Sequence, residues 1–413
     1  MRILYVTPFF APVIGGVESV LETTCTGLAS GGHSVKVLTS SLNELPQSEK
    51  RDGYSIVRTD LLCVPDCGII PPDQFDFQAI RLMFEDLVST YEPEVIHFHN
   101  YQMRGYSMFL NCFLHAIQLS KHAVLNTIHN DSDDPFAHYV LSYCPIDRVV
   151  TPTRKAALDL FEGGVPARKL LTVPNMIETR RFRNAKGDSI RSALGVDKCD
   201  PIILFPSRLI GREGNFIFDS KTGKGLNVMI RALPEIVEAV PNVKIMLLGN
   251  DTIFGRQILE FKHKLSGIVD TIREKCLLFF DDPIPNSLVP ELNAASDIVV
   301  SLSPREAFGM VFLEAMAAGK PVVAVNSAAS GVPEVVPDGA AGYLVPENDP
   351  HATAKAIVKI LSDDDRRKHF QMTGMNWVRD RFDVNVVLPQ LLRAYKSILA
   401  EKRLDAGEDL QPP

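Results

Sequence analysis

The sequence predicts an α/β protein of two domains, each a parallel sheet flanked by helices. Three observations lead there. Short apolar runs such as Arg2–Val6, Pro201–Phe205 and Asp297–Leu302 recur in both halves, bounded by turn formers and followed by helical patterns. The 413 residues suffice for two separate cores. A hydrophobic content of 46% with 23% charged residues is that of a soluble globular chain rather than a disordered one.

Residues 2 to 40 read as one βαβ unit. A strand runs to Val6, a loop carries Pro8, Pro12 and Gly15-Gly16, a helix starts at about Val17, and His33–Thr39 is the next strand. Glycines at 15 and 16 let the backbone come close to a ligand at the carboxyl edge of a sheet. No Gly-x-Gly-x-x-Gly follows the first strand, so this is not a dinucleotide fingerprint. Residues 41 to 90 carry little pattern, and Asp60 to Pro72 reads as irregular loop. Glu94 to Asn100 is a short strand in which His97 and His99 share a face. A two-histidine metal site is conceivable, yet no nearby carboxylate has ligand spacing, and packing beneath the loops is the simpler reading. Tyr106 to Leu119 is apolar and helical in pattern. Ala123 to Asp131 again runs from strand into loop, which sets His129 at a carboxyl edge. The nearby Asp131, Asp133 and Asp134 suit either a grip on ligand hydroxyls or amines, or a solvated turn.

In the second half, Pro201–Phe205 delivers Ser207-Arg208-Leu209, and Lys224-Gly225 follows later. Val243 to Gly249 and Cys276 to Phe280 are further strands, and Pro290 to Ala295 is a short helix. The Asp297–Leu302 strand opens the most informative stretch. It leads into a polar loop with Gly309, a helix stopped by Gly319-Lys320-Pro321, and a strand over Pro321–Val325. Glu306 therefore lies on a loop at a strand's carboxyl end, and Glu314 lies in the helix. The amides around Phe308, Gly309, Met310 and Val311 become donors at a helix N-terminus, which favours an anion such as phosphate. Two carboxylates flanking an anion site make sense if each holds hydroxyls on either side of a diphosphate. Past His351 the chain reads as helices, and residues from 404 form a polar, proline-ended tail for which disorder is expected.

These stretches resemble, in order, the motifs of the retaining enzymes of glycosyltransferase family four. Glu306-Ala-Phe-Gly-Met-Val-Phe-Leu-Glu314-Ala-Met is similar to the family's Glu-x7-Glu run, with Ala307 where glycine is common. The segment Pro12 to Glu18 matches Pro-x-x-Gly-Gly-x-Glu, and Thr127 with His129 matches Thr-x-His. Glu94 replaces the aspartate of Asp-x-x-His-x-His, and Met176 and Glu178 replace the glycine and aspartate of the interdomain crossover. Arg208 fits the family's Gly-Arg-Leu. Lys224-Gly225 fits its Lys-Gly once Ile210 to Gly223 is treated as an insertion, with Lys221 as a competing assignment.

The resemblance implies the GT-B architecture, two Rossmann-like doubly wound domains facing a central cleft. Residues 1–177 form the acceptor-side domain and 178–386 the nucleotide-sugar domain, with a helix at about 387–403 packing back on the first. It implies Glu306 on the donor sugar's hydroxyls, Glu314 on the ribose, and Arg208 with Lys224 on the diphosphate. His129 and Gly15-Gly16 position the sugar, and Asp131 and Asp133 face the acceptor. His129, Glu306, Arg208 and Lys224 form the expected catalytic group. No protein nucleophile, metal or other cofactor is implied, and the nucleoside diphosphate sugar is a co-substrate.

The expected reaction is retaining transfer of a hexosyl or N-acetylhexosaminyl unit from a UDP-sugar to a hydroxyl of a small soluble acceptor. A GDP-mannose-type transferase acting on a lipid or polysaccharide is one alternative, and a nucleotide-sugar epimerase on the same fold is another. The epimerase would need acid–base residues in place of an acceptor pocket. A net charge of -7 disfavours nucleic-acid binding. No apolar run spans a bilayer, and the first domain shows no strongly basic amphipathic helix. Thr7-Pro8 cuts the first apolar run before a signal-peptide core can form. The seven cysteines are scattered, only Cys63 and Cys67 are close, and no zinc site is completed, so free thiols in a cytoplasmic protein are expected. A homodimer is compatible with this reading.

Overall fold

Eight strands build the first sheet in the order β3-β4-β2-β1-β5-β6-β7-β8, and six build the second, β11-β10-β9-β12-β13-β14. The computed structural model describes residues 1–42, 45–64, 75–129, 132–206, 224–248, 276–279 and 284–405. Asp131, Arg208, Lys221, the Ile210–Gly223 insertion and the tail from 406 lie outside the described residues. The chain divides into unit 1, Met1–Met176 with Val384–Pro413, and unit 2, Ile177–Asp383.

Unit 1 contains β1 (Arg2–Val6), α1 (Gly16–Ser30), β2 (Ser34–Ser40), β3 (Ser48–Arg51), β4 (Tyr54–Thr59), α2 (Phe77–Tyr91), β5 (Val95–His99), α3 (Ser107–His115), β6 (Ala123–Thr127), α4 (Pro135–Tyr143), β7 (Arg148–Thr151), α5 (Arg154–Glu162) and β8 (Leu170–Thr172). All its strand pairs are parallel except β3 with β4. The central strands are apolar on both sides because both faces are covered by helices. Leu4, Val6, Ile96, Phe98 and Val124 pack toward Phe84, Phe109 and Phe113 of α2 and α3. Ile3, Tyr5, Val95 and Leu125 pack toward Leu21, Cys25 and Leu28 of α1.

The stretch 41–90, so poor in pattern, holds the β3–β4 hairpin and α2. Strand β3 is Ser-Glu-Lys-Arg at the sheet edge, where charge blunts pairing with other chains and erases an apolar signal. Helix α2 does carry a readable stripe, with Ile80, Phe84 and Val88 buried at intervals of four and Asp76 capping through Ala79 N–H at 2.9 Å.

Unit 2 contains α6 (Thr179–Arg183), α7 (Asp188–Ala193), β9 (Ile202–Phe205), α8 (Leu226–Ala239), β10 (Lys244–Leu247), β11 (Leu277–Phe279), α9 (Val289–Ala295), β12 (Ile298–Ser301), α10 (Met310–Ala317), β13 (Val322–Asn326), α11 (Val332–Val335), β14 (Gly342–Pro346), α12 (Pro350–Leu361) and α13 (Asp364–Phe382). Its sheet is parallel throughout. One face packs against α8 and α12 through Met229, Leu233, Ile357 and Ile360. The other packs against α10 and α13 through Phe312, Leu313, Met316 and Val378. The last helix, α14 (Val384–Asp405), belongs to unit 1, where Val387, Leu391, Tyr395 and Ile398 cover the α1 face of the first sheet. Where the chain enters and leaves unit 2, Ile177 N–H donates to Phe382 O at 2.9 Å. The Asp383 carboxylate accepts from the Thr179 amide at 3.2 Å and from its hydroxyl at 2.5 Å. Among the described residues, no helix is long and apolar enough to cross a membrane.

Candidate active site

Open parallel sheets bind ligands beyond the carboxyl ends of their strands, at the point where strand order reverses. In unit 2 that point lies between β9 and β12, because the chain moves outward from β9 to β10 and β11 before returning to β12. Lys224 stands just before α8 on the connection leaving β9, and Glu306 stands on the loop leaving β12. Gly225 draws the two together. It has φ 78°, and a Cβ there would sit 2.2 Å from Leu302 O, so only glycine permits the approach. Lys224 Nζ then donates to Glu306 Oε1 at 2.5 Å. The Glu306 carbonyl accepts from Gly331 N–H at 2.9 Å and from Ser330 Oγ at 3.1 Å, which pins the loop to the start of α11.

Gly309 is the N-cap of α10 in the left-handed region with φ 89°, and, being glycine, it offers the first-turn amides no side-chain cap. The first-turn amides at Met310 and Val311 precede the point where intrahelical bonding begins, so this helix start offers donors to an anion. Phe308 is buried against Phe382, ring centroids 5.7 Å apart, so only its backbone can serve a ligand. Glu314 follows one turn into α10. Part of its surface stays open, yet burial of the carboxyl pushes its pKa up to about 7, opposed by the charge of Arg181.

In unit 1 the strand order reverses between β1 and β5. Gly15-Gly16 lies on the connection leaving β1, and Gly16 opens α1. Gly15 has φ 178°, extended backbone that any residue adopts, so conformation does not demand glycine there. The loop is held from below by Arg58 of β4, whose guanidinium donates to Ala11 O at 3.1 Å and Pro46 O at 3.1 Å and pairs with Glu49 at 2.8 Å. The sequence reading missed Arg58. Its signal is that it continues the buried register of Tyr54 and Ile56 on β4, where a charged residue needs partners.

His129 follows β6, and its backbone N–H donates to Asn100 Oδ1 at 2.8 Å. Its Nε2 shares a hydrogen bond with His99 Nδ1 at 3.0 Å. Burial pushes the His129 imidazole down to about 4 and the His97 imidazole down to about 3, so both are neutral near pH 7. His97 packs as expected beneath this edge, bonded to the Tyr395 hydroxyl at 2.7 Å and to Thr127 Oγ1 at 2.7 Å. The aspartates separate in kind: Asp134 caps α4 through Phe136 N–H at 3.0 Å, while Asp133 is exposed.

The described residues thus bring Lys224, Glu306, Gly309, Met310, Val311 and Glu314 together in unit 2. Gly15, Gly16 and His129 lie at the corresponding edge of unit 1. Known proteins match across both. The Glycosyltransferase Family 4 model matches residues 14–181, and the Glycosyl transferases group 1 model matches residues 188–377. The chain is 24% identical over 410 residues to a phosphatidyl-myo-inositol mannosyltransferase of Mycobacterium leprae, covering 96% of this chain and 97% of that one. It is 28% identical over 414 residues to a D-inositol 3-phosphate glycosyltransferase of Corynebacterium glutamicum, covering 95% and 94%. A solved glycosyltransferase from Rickettsia africae has the same fold, with a TM-score of 0.76 at 20% identity over 96% and 98% of the two chains. With both units matched, the chain belongs to glycosyltransferase family four and is a glycosyltransferase of the GT-B fold.

Proposed function

We propose that the chain is a retaining hexosyltransferase that takes its sugar from a nucleoside diphosphate donor held by unit 2. The observation that carries this reading is the Lys224–Glu306 pair beside the uncapped start of α10, with Glu314 one turn on. An ammonium and a row of backbone donors suit a diphosphate, and the two carboxylates suit hydroxyls on either side of it. Donor binding would redirect Lys224 from Glu306 to phosphate and free Glu306 for the sugar. Glu314 would accept from the ribose, and Arg208 would share the diphosphate charge. His129 and the Gly15-Gly16 loop would serve the transferred sugar, with Asp133 and Asp131 toward the acceptor. The step needs no protein nucleophile and no metal in this reading.

The acceptor we propose is a small polyol of the inositol type, because the Corynebacterium glutamicum relative is named for D-inositol 3-phosphate. A uridine diphosphate hexose is the first donor, as the commonest in the family. In a second reading the chain transfers mannose, from guanosine diphosphate mannose, to an inositol lipid; the name of the Mycobacterium leprae relative favours that sugar and that acceptor. Thermal shift against uridine and guanosine diphosphate sugars, repeated with Glu306→Ala, tests the donor site. Stabilisation by one donor, lost on substitution, is the expected result. Release of nucleoside diphosphate only when inositol, inositol phosphate or phosphatidylinositol is added then identifies the acceptor. Stabilisation by no nucleotide sugar would overturn the reading.

A further inference from the structure

The buried histidines of unit 1 are not alike. Both ring nitrogens of His97 are used, and Tyr395 passes the network on to the Tyr5 hydroxyl at 2.8 Å. His99 and His129 each use one nitrogen, on each other, and each leaves the second buried without a partner: Nε2 of His99 and Nδ1 of His129. The rings are nearly parallel: Tyr5 and His99 have centroids 5.0 Å apart, and the hydrogen-bonded His99 and His129 have centroids 5.3 Å apart, both pairs at 17°. Asn100, in the left-handed region at φ 60°, turns the chain so that its amide oxygen holds the His129 backbone.

Burial keeps both imidazoles neutral, so each carries one N–H and two arrangements are open. If His129 donates from Nε2, His99 must carry its proton on Nε2, a buried N–H with nothing to receive it. If His99 donates from Nδ1, it leaves a bare acceptor on Nε2, and the proton of His129 moves to Nδ1, where no protein group receives it either. Each arrangement thus leaves one N–H and one acceptor unmet, and the unmet N–H, the costlier of the two, costs less on His129, the partly exposed residue after the end of β6, than on His99 at 4% exposure. We infer that His99 is a positioning residue that fixes His129 as the Nδ1–H tautomer, a hydrogen-bond donor at the edge of unit 1. The inference rests on the proposed role of His129 at the sugar and deepens it. His129 gives a hydrogen bond to a substrate oxygen, a hydroxyl lone pair or an oxygen gaining negative charge, and does not act as the base that takes the acceptor's proton.

The test uses the intact protein with 15N-labelled histidine. Two- and three-bond proton–nitrogen correlations, with His129→Gln to assign the ring, are expected to show the proton on Nδ1. A proton on Nε2 overturns the inference. The second arm compares His99→Asn, whose amide can donate, with His99→Asp, which at mildly alkaline pH can only accept. The aspartate variant is expected to lose about 100-fold in kcat with KM little changed, and asparagine to recover most of that loss. Equal activity of the two folded variants would also overturn it. An Nδ1 proton in a protein that transfers from no donor would refute the functional reading and leave the tautomer standing.

Discussion

The two units place their candidate site groups at the same topological position, yet the electrostatics of the two groups differ. Unit 2 gathers charge: an ammonium, two carboxylates and a helix start. Unit 1 gathers neutral groups, with three imidazoles kept uncharged by burial and bonded to hydroxyls and one another. A diphosphate needs charge and fixed dipoles, whereas a sugar ring needs directional hydrogen bonds whose sense is set in advance. The division predicts that substitutions in unit 2 act on donor binding, while those in unit 1 act on transfer.

The sharpest break would come from Glu306→Ala, expected to lower kcat/KM by about 1,000-fold and to abolish stabilisation by donor. Retained stabilisation would dissolve the contrast. His129→Ala should lower kcat by about 10- to 100-fold while donor-induced stabilisation persists, which calorimetry and kinetics can separate. Third comes the pH dependence of unit 2. The folded pKa of Glu314 lies above its usual 4.5, at about 7, so its contribution to stability is full below about pH 4.5 and lost as pH rises through 7. Denaturant unfolding at pH 5 and pH 8 should show wild type losing on the order of 3 kcal/mol relative to Glu314→Gln. The smallest expected change is in unit 1. Tyr395→Phe removes the hydroxyl that bridges Tyr5 and His97 and should cost about 1–3 kcal/mol with the donor response intact. Chelation by EDTA should leave turnover unchanged.

Much of unit 2 was legible because its chemistry follows local rules. Glu306, Gly309 and Glu314 fall on one strand–loop–helix run, where short-range pattern fixes which backbone donors are left over. The Lys224–Glu306 contact joins positions far apart in the chain and was suggested only by matching a family motif; what enforces it is the close approach at Gly225. In unit 1 the alternation along β5 placed His97 and His99 on one face, but not their partners. Tyr395 comes from the far end of the chain, so no local pattern links it to His97. Arg58 escaped because its partner Glu49 lies on an edge strand whose polar sequence gives no periodicity.

The Asp383 clasp has a consequence for how this polypeptide can be divided. Because Ile177 and Phe382 are hydrogen-bonded neighbours, unit 2 is a guest segment whose two ends meet, spliced into a host made of two separate pieces. The guest can be excised as one uninterrupted fragment, Ile177–Asp383, with its own sheet and both covering layers of helices. The host cannot be obtained by simple truncation, since stopping at Met176 discards α14 and with it Tyr395. A recombinant host therefore has to rejoin Met176 to Val384, and the proposed donor binding of the guest could then be measured apart from whatever the host binds.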